Sequence, residues 1–122
     1  MRVSHKNQQM EANITEPVAM IMTTVKDRDE ARSLAGILIE TRAAACVQEI
    51  AIHSHYRWEG KTESAPEILL LVKTAHDRVD FAIETIKSNH AYQVPEILVV
   101  PIAGGLASYL QWVKDETHLK QQ

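Results

Sequence analysis

The sequence predicts an α+β domain of the ferredoxin-like type: a βαββαβ unit with an antiparallel sheet, followed by a C-terminal helix. Three observations predict it. Apolar runs of strand length lie at 18–25, 68–72 and 97–102. Two stretches of helical period separate them, and residues 44–58 switch to a period of two. A glycine at position 60 then breaks the longest strand where a hairpin needs positive φ.

Each element follows from its own residues. Order begins at Pro17, and residues 1–16 are polar without periodicity, a flexible tail ahead of a domain spanning 17–118. Val18 to Val25 is rich in β-branched residues and ends in the polar cluster Lys26-Asp27-Arg28-Asp29. Asp27 and Glu30 have capping-box spacing. Ala31, Leu34, Ala35, Leu38 and Ile39 form the apolar stripe of a helix that stops near Arg42.

From Ala44 onward, Cys46, Ile50, Ile52, Tyr56 and Trp58 alternate with Glu49, His53, His55, Arg57 and Glu59, a long strand with one buried face. After Glu59-Gly60-Lys61 and Pro66, Glu67 to Lys73 returns as its partner. Thr74 and Asp77 suggest a second cap, and Val79, Ala82, Ile83 and Ile86 a second helix. A proline-containing loop, a strand from Glu96 to Ile102 and the turn Gly104-Gly105 follow. Leu106, Tyr109, Leu110 and Val113 then share a face of the last helix.

A ferredoxin-like unit places both crossover helices on one face of its sheet. Strands 18–25, 68–72 and 97–102 are nevertheless apolar at almost every position, as strands covered on both faces are. A lone domain would expose more apolar area than monomers usually tolerate. The last helix covers part of the open face, and a second subunit is expected to cover the rest.

Composition excludes several classes. With 45% hydrophobic and 24% charged residues the chain reads as one ordinary globular domain. A net charge of −3 with scattered Lys and Arg leaves no footprint for nucleic acid. The single cysteine, Cys46, rules out an internal disulfide, a CxxC redox motif and a zinc ribbon. Neither a signal-peptide core nor a membrane-spanning run is present, so the expected location is cytoplasmic, without membrane contact.

Candidate chemistry is sparse. Cys46 lies among Ala43, Ala44, Ala45 and Val47, where a thiol usually packs as a small hydrophobe. Ser88 and Ser108 sit in no nucleophile elbow, and Gly104-Gly105 lacks the rest of a phosphate-binding motif. No enzyme activity is therefore expected. His53 and His55 share one strand face and could hold Cu²⁺ or Zn²⁺ through their imidazoles, although Arg57 beside them favours a merely solvated polar face. His90 and Glu96 flank the loop Ala91-Tyr92-Gln93-Val94-Pro95 and can meet at a metal only if that loop folds back. Trp112 falls off the apolar stripe of the last helix, a position suited to a partner contact or to ordinary packing.

Five segments together resemble the CutA-type divalent-cation tolerance proteins. They are Ala44-Ala45-Cys46-Val47, Tyr56-Arg57-Trp58-Glu59-Gly60-Lys61, Glu67 to Thr74, His90-Ala91-Tyr92-Gln93-Val94-Pro95-Glu96-Ile97 and Tyr109-Leu110-Gln111-Trp112. The match as a whole runs in order from about Val18 to Lys114. The resemblance implies a homotrimer of ferredoxin-like protomers, a role in the response to metal ions, and copper binding. It also implies metal ligands at His90 and Glu96, with a cysteine of the first strand that here falls at about Thr23. Lacking that thiolate, the remaining imidazole and carboxylate would suit Cu²⁺ or Zn²⁺ better than Cu(I). A rival class is a trimer like the PII signalling proteins, with His90, Tyr92, Glu96, Arg57 and Lys61 lining an inter-subunit cleft for a small metabolite or peptide.

Overall fold

The computed structural model describes residues 17–118, so the tail expected at 1–16 lies outside the described residues. Its elements are β1 (Val18–Val25), α1 (Arg28–Glu40), β2 (Cys46–Trp58), β3 (Lys61–Ala75), a 3₁₀ turn (His76–Arg78), α2 (Val79–Ser88), β4 (Ile97–Pro101) and α3 (Ala107–Thr117). The four strands form one antiparallel sheet in the order β2-β3-β1-β4. This is the ferredoxin-like α+β fold that the residue pattern predicts, with α3 as its C-terminal addition.

Local chemistry accounts for the boundaries. Asp27 accepts a 2.9 Å hydrogen bond from the Glu30 N–H and so satisfies one of the unpaired donors that open α1. At the other end the Thr41 N–H reaches the Ile37 carbonyl, and Arg42 turns the chain with φ at +60°. That left-handed conformation costs a non-glycine residue about 1 kcal/mol. The Arg42 guanidinium donates to the Glu116 carbonyl at 2.9 Å, and Arg78 donates to the Arg42 carbonyl at 3.3 Å, which hold the turn in place. Glu59 (φ +50°) and Gly60 (φ +79°) close the β2–β3 hairpin between the paired Trp58 and Lys61. Two consecutive positive φ values give a turn whose twist matches that of its strands.

Alternation along β1 divides the interior in two. Ala19, Ile21 and Val25 point to the side covered by α1 and α2, where they pack with Leu34, Leu38, Leu70, Val72, Ala82 and Ile86. Val18 points the other way and packs with Leu110 and Val113 of α3. Each such buried Val, Leu or Ile side chain is worth about 1.5–3 kcal/mol of transfer free energy.

Some expectations need correction. The partner strand begins at Lys61, so Pro66 sits inside β3 and not ahead of it. Only Ile68 to Ala75 pairs with β1, so β3 has an open edge at Pro66, and a proline is tolerated at an edge. Thr74 is no cap: the residue before the 3₁₀ turn is Ala75, without a side-chain bond, and Thr74 is buried in mid-sheet. Nor is one face of β2 buried within the chain. Tyr56 and Trp58 are exposed because the hairpin runs past the end of the sheet and leaves its tip without a covering layer. Ile50, in line with Leu69 and Thr24, is exposed because it lies on the open sheet face. Leu106 is 73% exposed and Tyr109 is exposed as well, so α3 buries a narrower stripe than its sequence suggests.

The open sheet face is only partly covered. Leu98 of β4, opposite Met22, shares that face with Ile50 and Trp58, and all three are exposed. In urea unfolding, Leu70→Ala should cost about 3 kcal/mol through the cavity it leaves. Asp27→Ala should cost about 1 kcal/mol through the lost cap.

Candidate functional site

The loop between α2 and β4 is built by hydrogen bonds that order it from one end to the other. Asn89 closes α2, its side-chain amide donating to the Thr85 carbonyl at 2.8 Å. His90 then turns inward to β1, with Nε2 2.7 Å from the Thr24 carbonyl. On the other side of the ring, Nδ1 accepts the Tyr92 N–H at 3.1 Å. An acceptor Nδ1 carries no proton, so Nε2 carries it and donates to Thr24. The ring is therefore the neutral Nε2–H tautomer with both nitrogens engaged.

Tyr92 extends the stitching. Its ring lies 4.9 Å from that of His90, and its hydroxyl donates to the Glu67 carboxylate on β3 at 2.7 Å. Burial, together with that bond and the negative charge of Glu67, pushes the Tyr92 phenol well above its ordinary range. The loop is thus tied to β1 through His90 and to β3 through Tyr92.

These ties shape a cleft of about 500 Å³ on the open sheet face. The hairpin forms one wall with Tyr56 and Trp58, and the loop forms the other with Tyr92 and Glu96. Glu67 lies between them. Two carboxylates beside three aromatic rings make a surface suited to a cation, through charge and through ring faces. Glu96 borders this cleft and is exposed, whereas His90 does not line it. The two residues expected to share a metal thus face different surroundings. Among the described residues no three His, Cys, Asp or Glu side chains group to hold an ion.

The other candidates are also placed. Thr23 is fully buried on the helix-covered side of β1, and its Oγ1 has no partner among the described residues. Cys46 is half-buried beside the Tyr109 hydroxyl, whose titration is raised by burial and then by Cys46. Trp112 is exposed and lies 5.6 Å from the Tyr109 ring. His53 and His55 lie with ring centroids 5.2 Å apart. Glu67 is the residue that spacing alone did not single out. Its signal was a carboxylate at the head of the apolar run Ile68-Leu69-Leu70-Leu71-Val72.

The family described as CutA1 divalent ion tolerance protein matches residues 19–116. The chain belongs to this family. It is 40% identical over 104 residues to the rice protein named "Protein CutA 1, chloroplastic", covering 84% of this chain and 59% of that one. It is also 40% identical over 99 residues to the divalent-cation tolerance protein CutA of Thermus thermophilus, covering 80% of this chain and 96% of the relative. The chain thus spans about three-fifths of the length of the rice relative.

Solved CutA structures share the fold. The rice CutA1 crystal structure superposes with a TM-score of 0.82 at 38% identity, covering 88% of this chain and 100% of that one. The periplasmic divalent cation tolerance protein CutA of Archaeoglobus fulgidus superposes with a TM-score of 0.81 at 34% identity, covering 83% and 99%. The PII-like alternative is not favoured. Arg57 and Lys61 do not line the cleft, and its two carboxylates would repel an anionic metabolite.

The sign of the Tyr92 shift sets a pH dependence. A phenol held above its unfolded pKa contributes stability that is complete below that value, about 10, and is lost as pH rises toward the folded one. Native stability should therefore fall in alkali. Tyr92→Phe should lose less between pH 10 and 11 in urea titrations, while costing about 1 kcal/mol at pH 7.

Proposed function

We propose that the protein takes a non-enzymatic part in the tolerance of divalent cations, as a cytoplasmic homotrimer that binds Cu²⁺, or another divalent ion such as Zn²⁺, weakly. The observation that carries this reading is the family match over residues 19–116. The relatives from Thermus thermophilus and Archaeoglobus fulgidus are themselves named divalent-cation tolerance proteins.

The metal contact falls to Glu96, whose exposed carboxylate borders an acidic cleft, with His90 as its partner. The lone pair of this tautomer is on Nδ1, so His90 can join only by giving up the 3.1 Å bond from the Tyr92 N–H, a loss of about 1 kcal/mol that keeps the affinity low. The buried hydroxyl of Thr23 offers no soft donor, which turns the preference from Cu(I) toward Cu²⁺ or Zn²⁺.

Self-association is supported by the open sheet face, where Ile50, Trp58 and Leu98 stand exposed, and by the exposed Trp112 on α3. A non-enzymatic role is supported by the chemistry of the site: His90, the obvious base, has both ring nitrogens committed to holding the loop. As to location, no helix among the described residues is long and apolar enough to cross a membrane. The relatives carry both chloroplastic and periplasmic names.

Light scattering should report a mass about three times the 13.7 kDa of the chain, and Leu98→Lys should lower it. A native mass of one chain would sink the trimer. In calorimetric titrations with CuCl₂, Glu96→Gln should weaken an ion contact severalfold. Unchanged binding in that variant would remove Glu96 from the site.

A further inference from the structure

His53 and His55 take no part in the ties that shape the cleft, although His55 borders it beside Tyr56. They occupy alternate positions of β2, so their side chains emerge on the same face of the hairpin, opposite to that of Tyr56 and Trp58. Both are exposed, and their ring centroids lie 5.2 Å apart with the planes tilted by 39°. Among the described residues neither ring makes a hydrogen bond to protein, so their nitrogens are open to a ligand, unlike those of His90.

The separation is that of a chelate. With metal–nitrogen bonds of about 2.1 Å, and about 1.1 Å from nitrogen to ring centre, two imidazoles at a tetrahedral angle have centroids roughly 5 Å apart. At the right angle of a tetragonal Cu²⁺ site the centroids lie about 4.5 Å apart, which a small rotation of the two exposed rings reaches. The strand holds both side chains at this spacing without help from a loop, because β2 pairs with β3 through His53–Pro66 and His55–Ser64. Neighbours on that face are Ala51 and Arg57 along the strand, and Ser64 and Pro66 across it. None of these is a carboxylate; Glu63, which borders the same hollow as His55, belongs to the other face of the hairpin, so the donor set on this face is two imidazoles completed by water. Imidazole suits Cu²⁺ and Zn²⁺, and Cu²⁺ binds more strongly at a given nitrogen site. The Arg57 cation lowers the affinity but sits at the end of a flexible side chain and leaves the rings open.

We propose that His53 and His55 form a surface chelate for Cu²⁺ at the rim of the cleft, with ligands other than His90 and Glu96 and stronger than any contact those two can make. The site uses only groups already exposed and side by side, whereas His90 must first break a bond. It uses neither His90 nor Glu96, so it can stand or fall without the contact proposed for them.

The test uses the full chain titrated with CuCl₂, followed by calorimetry and by electron paramagnetic resonance. The strongest site should show coupling to two nitrogens. His53→Ala and His55→Ala should each weaken that site at least tenfold and reduce the coupling to one nitrogen, while His90→Gln and Glu96→Gln leave it unchanged. A register swap, Ser54→His combined with His55→Ser, keeps the histidine count but places the rings on opposite faces, and should lose the site as fully as His55→Ala. Circular dichroism melting of each variant shows whether the fold is intact. Native Cu²⁺ affinity in folded His53→Ala/His55→Ala, or in the swapped variant, would overturn the chelate. Loss of the strongest site in His90→Gln alone would move it to the loop and overturn the proposal equally.

Discussion

The central strand β1 has to satisfy two neighbours and two faces at once, and the rest of the molecule is arranged around that demand. β3 pairs along its whole length and β4 along five of its residues, so its backbone groups are met on both sides. Its side chains alternate between a large core under α1 and α2 and a smaller one under α3. A strand so placed is apolar on both faces, which explains why Val18–Val25 carries no polar alternation. The end of the same strand anchors the functional loop, because β4 pairs only as far as Thr23 and leaves the Thr24 carbonyl to accept His90. Packing and site therefore share one element.

That sharing changes the meaning of the histidine. In the sequence His90 stands near a carboxylate, as ligands often do. In the fold it is a brace: a neutral ring that donates from one nitrogen and accepts at the other. Its work is to bring Tyr92 within 2.7 Å of Glu67 and Glu96 to the rim of the cleft. The acidic and aromatic character of that cleft then follows from a strand carboxylate, a hairpin and a loop that are far apart in the chain. The braced histidine thus holds the exposed Glu96 in position at that rim.

Elements governed by neighbours in sequence were legible in advance. The Asp27 cap acts over three residues, and the hairpin turn needs only Glu59 and Gly60 to take positive φ. The helical stripes and the apolar strands likewise follow from periods of a few residues. Where the sequence misled, a distant element was responsible. Pro66 reads as a strand breaker until it is known that β3 has an open edge there, and Thr74 reads as a cap until it is seen buried in mid-sheet. Tyr92 and Glu67 are 25 residues apart, and no spacing rule joins them.

By itself the sequence determined the order of elements, the ferredoxin-like class, the segments characteristic of the CutA family and an apolar sheet face left open. All of these depend on residue type and short period. Only the tertiary structure decided which histidines are free. His90 is spent because a strand carbonyl and a backbone N–H converge on it, and His53 and His55 stand open because their hairpin outruns the sheet. Whether a nitrogen lone pair is available depends on what lies within hydrogen-bond distance in space, and residue spacing does not encode that.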